Sequence, residues 1–580
     1  MKKFILIVVV VVLILGSTIG AFCFLGKDDA GGKGTIGGSG DFWVYKGPIE
    51  ESEGFFSGFP TIGSFNTAGM AQSSIAMDSA NIGFSVGGAK NINNFRENIK
   101  NGYFPISTDI TYNGLFYDYA FDTGISAKSD ELFSPAYSVA VSKDPVSGKL
   151  EYYMTVGLNS NIKESDFARK KLNLVVVLDI SGSMSSSFNS YYYDDPFALK
   201  GENKDKMTVA LESINVLLDQ LNAEDRFGMI LFDDGAYVGQ EISLVGDTDI
   251  VKLKEHILEV QANGGTNFEA GYKEGTKLFS EYKNIDTNEY ENRIIFLTDA
   301  MPNVGNTSKD SLLDMVKENA EDGIYTTFIG IGVDFNTKLI EAITDNKGAN
   351  YYAVHSAEEF ETRMGEEFEF MVTPLVFDLE LNVDSKDFEI AKIYGSDSAN
   401  EETGNIMKVN TLFPSKSNED GEVKGGVILL KLNKINDEEV GKIAVTVSYK
   451  DRTGKAFSNN QIVNFENTTE ERYDNTGIRK AITLTRYANV MKNWILYERA
   501  EEERFLIVPL SGICDCDYTP EEIRIMLGEH ERMSVDLTVS EEYKEIFKGI
   551  KTYINEQNKV LEDKTFEKEI EILDQLIKTK

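Results

Sequence analysis

Oxygen-bearing side chains follow a buried strand in the stretch LNLVVVLDISGSM. Its consecutive apolar residues are typical of a strand that is covered on both faces of a parallel sheet. Asp179, Ser181 and Ser183 come directly at its end, where polar side chains indicate a bound ligand. Thr266, which precedes a helix in NGGTN, and Asp299, which ends another buried strand in FLTDAMPN, offer further oxygens.

These residues supply carboxylates and hydroxyls, without a thiol or an imidazole. Such hard oxygen donors suit Mg²⁺, which prefers octahedral geometry and retains water; Mn²⁺ and Ca²⁺ are the alternatives, and zinc fits less well. Two carboxylates only balance the charge of the ion, so it stays electrophilic and keeps a position for exchangeable water. We expect a carboxylate from a partner protein to take that position. Gly182, Gly264 and Gly265 would let the backbone turn tightly around the ion.

Alternating strands and helices between residues 171 and 370 must position these side chains. The predicted strands are NLVVVLDI, RFGMILF, GAYVGQ, NRIIFLTD, IYTTFIGIG and NYYAV, and the helices between them carry apolar stripes at three-to-four spacing. In RFGMILFDDGAYVGQ a short turn joins two strands, which should therefore be antiparallel. The pattern predicts an α/β fold with a doubly wound, mostly parallel sheet, whose ligands bind at the carboxyl ends of the strands.

The order D-x-S-x-S, then Thr, then Asp resembles the metal-ion-dependent adhesion site (MIDAS) of the von Willebrand factor A (VWA) domain. The match is complete, with Asp179, Ser181, Ser183, Thr266 and Asp299. The resemblance implies a Rossmann-like fold over roughly 171–370, a metal held partly through water, and an Asp or Glu of a protein ligand completing the metal shell. More loosely, the chain resembles membrane-anchored prokaryotic proteins with this domain at their centre. In the alternative interpretation, the same residues only stabilise their own loops.

Strand patterns flank the α/β domain on both sides. The 133–170 segment reads as a β-hairpin, and alternation of period two returns in 371–470, for example in KIAVTVSYKDRTGKAF. Because the ends of a doubly wound domain can lie close together, we predict one β-sandwich into which the domain of residues 171–370 is inserted. Residues 42–132 read as a loop-rich N-terminal region, and residues 471–580 as a helical C-terminal region.

The N-terminal segment, residues 1–25, reads as a membrane anchor or a signal segment. Lys2 and Lys3 precede 22 uncharged, mostly apolar residues, enough to cross a bilayer. The lysines would stay in the cytoplasm and place the rest of the chain outside. A cleaved signal peptide and a lipoprotein processed at Cys23 are alternatives, and each gives the same extracytoplasmic location, at the cell surface or in the periplasm. Residues 26–41 form a Gly-rich linker.

Charge and composition exclude several classes of function. The net charge of −36 and pI of about 4.6 repel phosphate backbones, so we expect no nucleic-acid partner. His256, His355 and His530 lie in separate segments without a hydrolase or kinase motif, so we predict no enzymatic activity and interpret His256 and His530 as solvated. Cys514 and Cys516 are interpreted as incidental or locally paired.

The insert SSSFNSYYYDDPFALKGENKDK, residues 185–206, should lie beside the metal site, because it follows the metal-binding strand. Tyr191, Tyr192 and Tyr193 form either a recognition patch or part of a solvated loop. The predicted function is an extracytoplasmic, membrane-anchored protein-binding module with a Mg²⁺ ion that captures an acidic side chain, in adhesion or envelope assembly. The alternative is a structural scaffold whose metal only stabilises the domain.

Overall fold

The structure, a computed structural model, does not describe every part of the chain. The described residues are 42–45, 83–86, 92–126, 132–160, 169–194, 204–282, 289–337, 339–340, 344, 346–396, 398–415, 423–436, 440–466, 468, 470–505 and 530–579. The predicted membrane segment, the Gly-rich linker and the two-cysteine segment therefore lie outside them. In the part of the chain that is described, none of the helices combines the length and apolar character needed to span a bilayer.

Short elements and a long hairpin precede the α/β domain. In chain order they are β1 (Gly83–Val86), α1 (Asn93–Lys100), α2 (Tyr112–Tyr117), β2 (Ala120–Phe121), β3 (Ile125–Ser126), β4 (Phe133–Lys143) and β5 (Leu150–Ser160). Strands β4 and β5 pair antiparallel along their whole length. The hairpin that the alternating pattern predicts is thus present.

The α/β domain is built on a six-stranded mixed sheet. Its elements are β6 (Lys171–Asp179), α3 (Lys206–Leu218), β7 (Arg226–Phe232), β8 (Ala236–Leu244), α4 (Ile250–Leu258), α5 (Phe268–Lys277), β9 (Tyr290–Thr298), α6 (Lys309–Glu321), β10 (Ile324–Ile331), β11 (Asn350–Val354), α7 (Ala357–Glu361), a π-helical turn (Thr362–Glu366) and α8 (Phe368–Val372). The strand order is β11-β10-β9-β6-β7-β8. Every pairing in it is parallel except β7 with β8, as the sequence predicts.

Helices on both faces explain the continuous apolar run of β6. Successive strand residues point to opposite faces of a sheet. Val176 accordingly joins a cluster that contains Ile214 of α3, whereas Val177 joins a cluster that contains Tyr272 of α5. Strand β6 lies between β9 and β7 in the middle of the sheet. Asp179, at the carboxyl end of β6, therefore lies near the centre of the edge formed by the carboxyl ends of the parallel strands.

The strands after the α/β domain form two further sheets with the hairpin. They are β12 (Val376–Ser385), β13 (Phe388–Tyr394), β14 (Asn405–Ser415), β15 (Val423–Lys424), β16 (Val427–Lys434), β17 (Val440–Lys450), β18 (Ala456–Glu466) and β19 (Arg472–Tyr473). One sheet has the order β13-β16-β5-β4-β19 and the other β1-β14-β12-β17-β18. Met154 and Leu430 of the first share an apolar cluster with Leu381 and Val447 of the second.

A layer of three helices follows the strands at the C-terminal end of the described residues. It consists of α9 (Thr476–Phe505), α10 (Glu541–Leu561) and α11 (Glu567–Lys578). In α9 an apolar stripe at helical spacing is fully buried, each residue being 0% exposed: Leu484, Tyr487, Met491, Trp494 and Ile495.

The helical layer also holds helix α1 of the N-terminal region. Phe95 of α1 lies in the same apolar cluster as Leu573 of α11. The buried Arg96 guanidinium pairs with the buried Glu569 carboxylate and, at 2.6 Å, with Asp118. Helix α1 and helix α11 are therefore joined by apolar packing and by a buried ion pair, although more than 400 residues separate them along the chain.

Candidate metal centre

The first group of predicted ligands forms a tight turn at the end of β6. The Ser181 amide donates to Asp179 Oδ1 at 2.9 Å, which folds the chain back over the carboxylate. The Ser181 and Ser183 hydroxyl oxygens lie 3.0 Å apart, because a 3-10 turn over Gly182–Ser185 follows directly. Asp179 is 0% exposed, and both serines are buried.

Backbone hydrogen bonds hold the loop of Thr266 against this turn. The Gly182 amide donates to the Gly264 carbonyl at 2.9 Å, and Gly264 adopts the left-handed φ of 73° that glycine allows. On its other side, the Thr266 amide donates to Asn303 Oδ1 at 2.8 Å. Since Asn303 follows Asp299 in the next loop, the Thr266 loop lies between the other two ligand-bearing segments.

Asp299 lies directly after β9, the strand that neighbours β6. The Thr298 hydroxyl donates to Asp179 Oδ2 at 2.5 Å and accepts from the Ala300 amide at 2.8 Å. Ala300 has a φ of 57°, an uncommon conformation for a residue with a Cβ atom. Such strained positions cluster at functional sites, and this one turns the chain sharply at the metal centre. The structure therefore brings all three predicted segments to one edge of the sheet.

A buried lysine that the sequence does not predict lies within the site. Lys206, the first residue of α3, is 0% exposed and places its ammonium 3.1 Å from Asp299 Oδ2 and 2.5 Å from Asp334 Oδ1. Asp334 follows β10 and is also 0% exposed. Ionised, Asp179, Asp299 and Asp334 carry three negative charges and Lys206 one positive charge, leaving the excess that one divalent cation neutralises.

Burial and charge shift the titration of these groups. Burial, reinforced by the charge of Asp299, raises the pKa of Asp179 to about 7. Burial also raises the pKa of Asp299, although the Lys206 ammonium opposes that shift. Burial alone would lower the pKa of Lys206, but the charges of Asp334 and Asp299 outweigh it and raise that pKa. The lysine thus stays cationic, and the cluster without a further cation is electrostatically unfavourable.

The donor set fits a small, hard cation. Oxygens at adjacent corners of a Mg²⁺ octahedron lie about 3 Å apart, given metal–oxygen distances of ~2.1 Å. The 3.0 Å separation of the Ser181 and Ser183 hydroxyls matches that edge. The Asp299 carboxylate is buried beside the Ser183 hydroxyl, which lowers its pKa against the effect of burial, so Asp299 and Ser183 lie close enough to share one ion. Among the described residues, no three or more His, Cys, Asp or Glu side chains are grouped so that they could hold a metal ion. The predicted ligand set differs from such a group because three of its five members are hydroxyls.

The described residues of the insert lie beside the site, as the position of the insert in the sequence suggests. Two interpretations of side chains are wrong. Tyr191 is only 6% exposed and donates to Asn98 Oδ1 at 2.7 Å, so it packs inward and belongs neither to a recognition patch nor to a solvated loop. His530 is 7% exposed and its ring bonds the Thr307 carbonyl at 2.7 Å, so it is not solvated. Tertiary packing, which residue type alone does not reveal, decides both.

The α/β domain that carries this site belongs to a known class. Residues 173–365 match the family model described as "von Willebrand factor type A domain". The chain therefore contains a VWA domain, and the resemblance drawn from the sequence is confirmed at that level.

Relatives and solved structures match with low identity. Human inter-alpha-trypsin inhibitor heavy chain H2 is 23% identical over 214 residues, which is 36% of this chain and 21% of that protein. The protein YfbK of Escherichia coli K12 is 24% identical over 215 residues, 37% of this chain and 33% of that one. The matched region thus spans a fifth to a third of these relatives. The structure of a von Willebrand factor type A protein from Catenulispora acidiphila gives a TM-score of 0.36 at 16% identity, covering 63% of this chain and 82% of that one.

The raised pKa of Asp179 predicts how the metal-free protein responds to pH. The pKa of Asp179 is ~4 in the unfolded chain and about 7 in the folded protein. Protonation of Asp179 therefore stabilises the fold fully below pH ~4, and this contribution to the free energy of unfolding is lost as the pH rises through about 7. In EDTA, the free energy of unfolding of the wild type should fall by on the order of 4 kcal/mol between pH 4 and pH 7, relative to that of Asp179→Asn. Mg²⁺ should abolish this difference between the two proteins in the pH dependence of the free energy of unfolding. Chemical denaturation across that pH range checks this, and parallel pH profiles of the two proteins in EDTA would contradict it.

Lys206 should weaken metal binding while stabilising the metal-free site. Lys206→Met removes a positive charge near the cation, so Mg²⁺ affinity should rise at least about tenfold. The same change should cost the metal-free protein about 3–5 kcal/mol, because it strips a buried carboxylate pair of its cation. Calorimetric titration and thermal unfolding in EDTA measure the two effects. Lys204→Met, which removes an exposed lysine paired with Glu212, is the matched control and should change neither. Equal Mg²⁺ affinity of Lys206→Met and wild type would refute the proposed role.

Proposed function

We propose that the protein is an extracytoplasmic, membrane-anchored binding module that uses a metal-ion-dependent adhesion site to capture an acidic side chain of a partner protein. Asp179, Ser181, Ser183, Thr266 and Asp299 would hold a Mg²⁺ ion, or Mn²⁺ or Ca²⁺ in its place. The ion would supply an electrophilic position for the partner's Asp or Glu. The role is one of adhesion or envelope assembly, without catalysis.

The buried oxygen cluster at the carboxyl end of β6 and β9 is the observation that carries this proposal. Its two aspartates and three hydroxyls are buried and offset by a single lysine, which makes a negative site that a divalent cation would neutralise. Hydroxyl ligands add no charge, so a bound ion keeps attraction for a further carboxylate. The N-terminal apolar segment supports membrane attachment, and the net charge of −36 disfavours a nucleic-acid partner.

A structural scaffold is the second candidate. The helical layer and the two sheets offer extended surfaces, and in this case the metal merely stabilises the VWA domain. The two functions differ in whether association needs the metal: a binding module loses its partner with the ion, whereas a scaffold keeps it.

Arrays of acidic peptides, each paired with its Asn or Gln counterpart, test the proposal. The full chain should bind a subset of Asp or Glu peptides in Mg²⁺, and should lose at least about tenfold in affinity in EDTA or as Asp179→Ala. Asp310→Ala, which removes an exposed aspartate of the same domain, is the control and should bind like the wild type. Peptide binding that is unchanged by EDTA, or equal binding of a Glu peptide and its Gln counterpart, would favour the scaffold.

A further inference from the structure

A segment of the C-terminal region crosses the face of the VWA domain that carries the metal site. We call residues 530–536 the strap. The buried His530 ring bonds the Thr307 carbonyl at 2.7 Å, and its own carbonyl accepts from Asn336 at 3.2 Å. Thr307 lies in the loop after β9 and Asn336 in the loop after β10, so the strap spans the loops at the carboxyl end of the sheet.

The next contacts continue across the same face. Arg532 Nε donates to the Asp334 carbonyl at 3.2 Å, and its guanidinium lies 5.5 Å from the centre of the Tyr191 ring in the insert. The Ser534 amide donates to Asp194 of the insert at 2.8 Å. At its far end the strap is tied to the N-terminal region, where the Phe104 amide donates to the Val535 carbonyl at 2.7 Å.

Within this strap, Glu531 is the acid closest to the predicted ligands by hydrogen bonding. Glu531 Oε1 accepts from Asn303 Nδ2 at 2.8 Å, and Asn303 Oδ1 accepts from the Thr266 amide at 2.8 Å. Only one asparagine side chain thus separates a glutamate carboxylate from a residue that would hold the metal. The strap presents the chemistry that the proposed function requires of a partner.

We propose that the strap is an internal ligand segment of the metal site, with Glu531 as its acidic side chain. This inference rests on the proposed function and names the acid that the metal site attracts when no partner is bound. Without a cation, the excess negative charge of the buried aspartates repels Glu531. With a cation bound, the metal site attracts it and the strap is held more firmly. A partner's carboxylate must then displace the strap before it reaches the metal.

The character of the strap suits displacement. Its contacts with the VWA domain are mostly hydrogen bonds, and Met533 in its middle is 42% exposed. Opening must release the buried His530 ring, the Arg532 guanidinium against Tyr191 and the packing of Val535 on the helical layer. The stretch around Met533 has few buried apolar contacts, and such segments open at lower free-energy cost. The predicted ligand residues are at most 5% exposed, and the strap contacts the loops beside them, so its displacement would widen a partner's access to the site.

Hydrogen exchange of the full chain, with and without Mg²⁺, tests the proposal. Mg²⁺ should slow exchange of the strap amides about tenfold, within the range found for coupled sites. Glu531→Gln should abolish the slowing, whereas Asp536→Asn, which removes an exposed carboxylate from the same strap, should retain it. Because coupling is reciprocal, Glu531→Gln should also weaken Mg²⁺ binding by the same factor in calorimetry.

The outcomes separate this proposal from the proposed function. If Mg²⁺ binds the wild type but not Asp179→Ala, and Glu531→Gln still shows slowed exchange, the strap is structural and the inference fails alone. The inference also fails alone if Mg²⁺ binds and the strap amides exchange at an unchanged rate. If calorimetry detects no Mg²⁺ binding to the wild type, the proposed function fails and the inference fails with it.

Discussion

The burial of acidic groups at the end of two central strands is the constraint on which the site depends. Asp179 and Asp299 are 0% exposed, and each carboxylate in such a place costs several kcal/mol unless a positive charge or donors compensate it. Lys206 compensates part of that charge from inside the protein. Burial, reinforced by the remaining negative charge, explains why the pKa of Asp179 is raised, and that charge explains why a divalent cation fits the site. Turns, loops and insert are arranged around this electrostatic requirement.

The architecture meets that requirement by placing the ligand-bearing loops on a rigid support. Strand β6 is packed on both faces, so Asp179 at its end has little freedom to move. The loop that carries Thr266 is hydrogen-bonded both to the turn after β6 and to Asn303, which holds the three ligand-bearing segments together. The strap and the helical layer then connect this site to the opposite end of the chain. If the proposed ion binds there, its effect would extend to contacts far from it in sequence.

The sequence predicts the α/β domain well because its strands are apolar runs that end in polar side chains. Such runs reveal a parallel sheet, and polar residues after its strands reveal the site. The same rule would have found Asp334, which follows β10. It does not find Lys206, because a lysine at a helix start usually faces water, nor Glu531, whose position depends on packing between distant segments. Contacts of this kind leave no local periodicity.

Whether these aspartates and hydroxyls hold one divalent cation decides whether the metal centre exists on which the proposed binding function depends. Calorimetric titration of the full chain with Mg²⁺, Mn²⁺ and Ca²⁺, in parallel with Asp179→Ala, answers that question. We expect one saturable site per chain, and we expect the substitution to abolish it. A wild type without a saturable site, or a substituted protein that binds as the wild type does, would contradict the assignment of the metal centre.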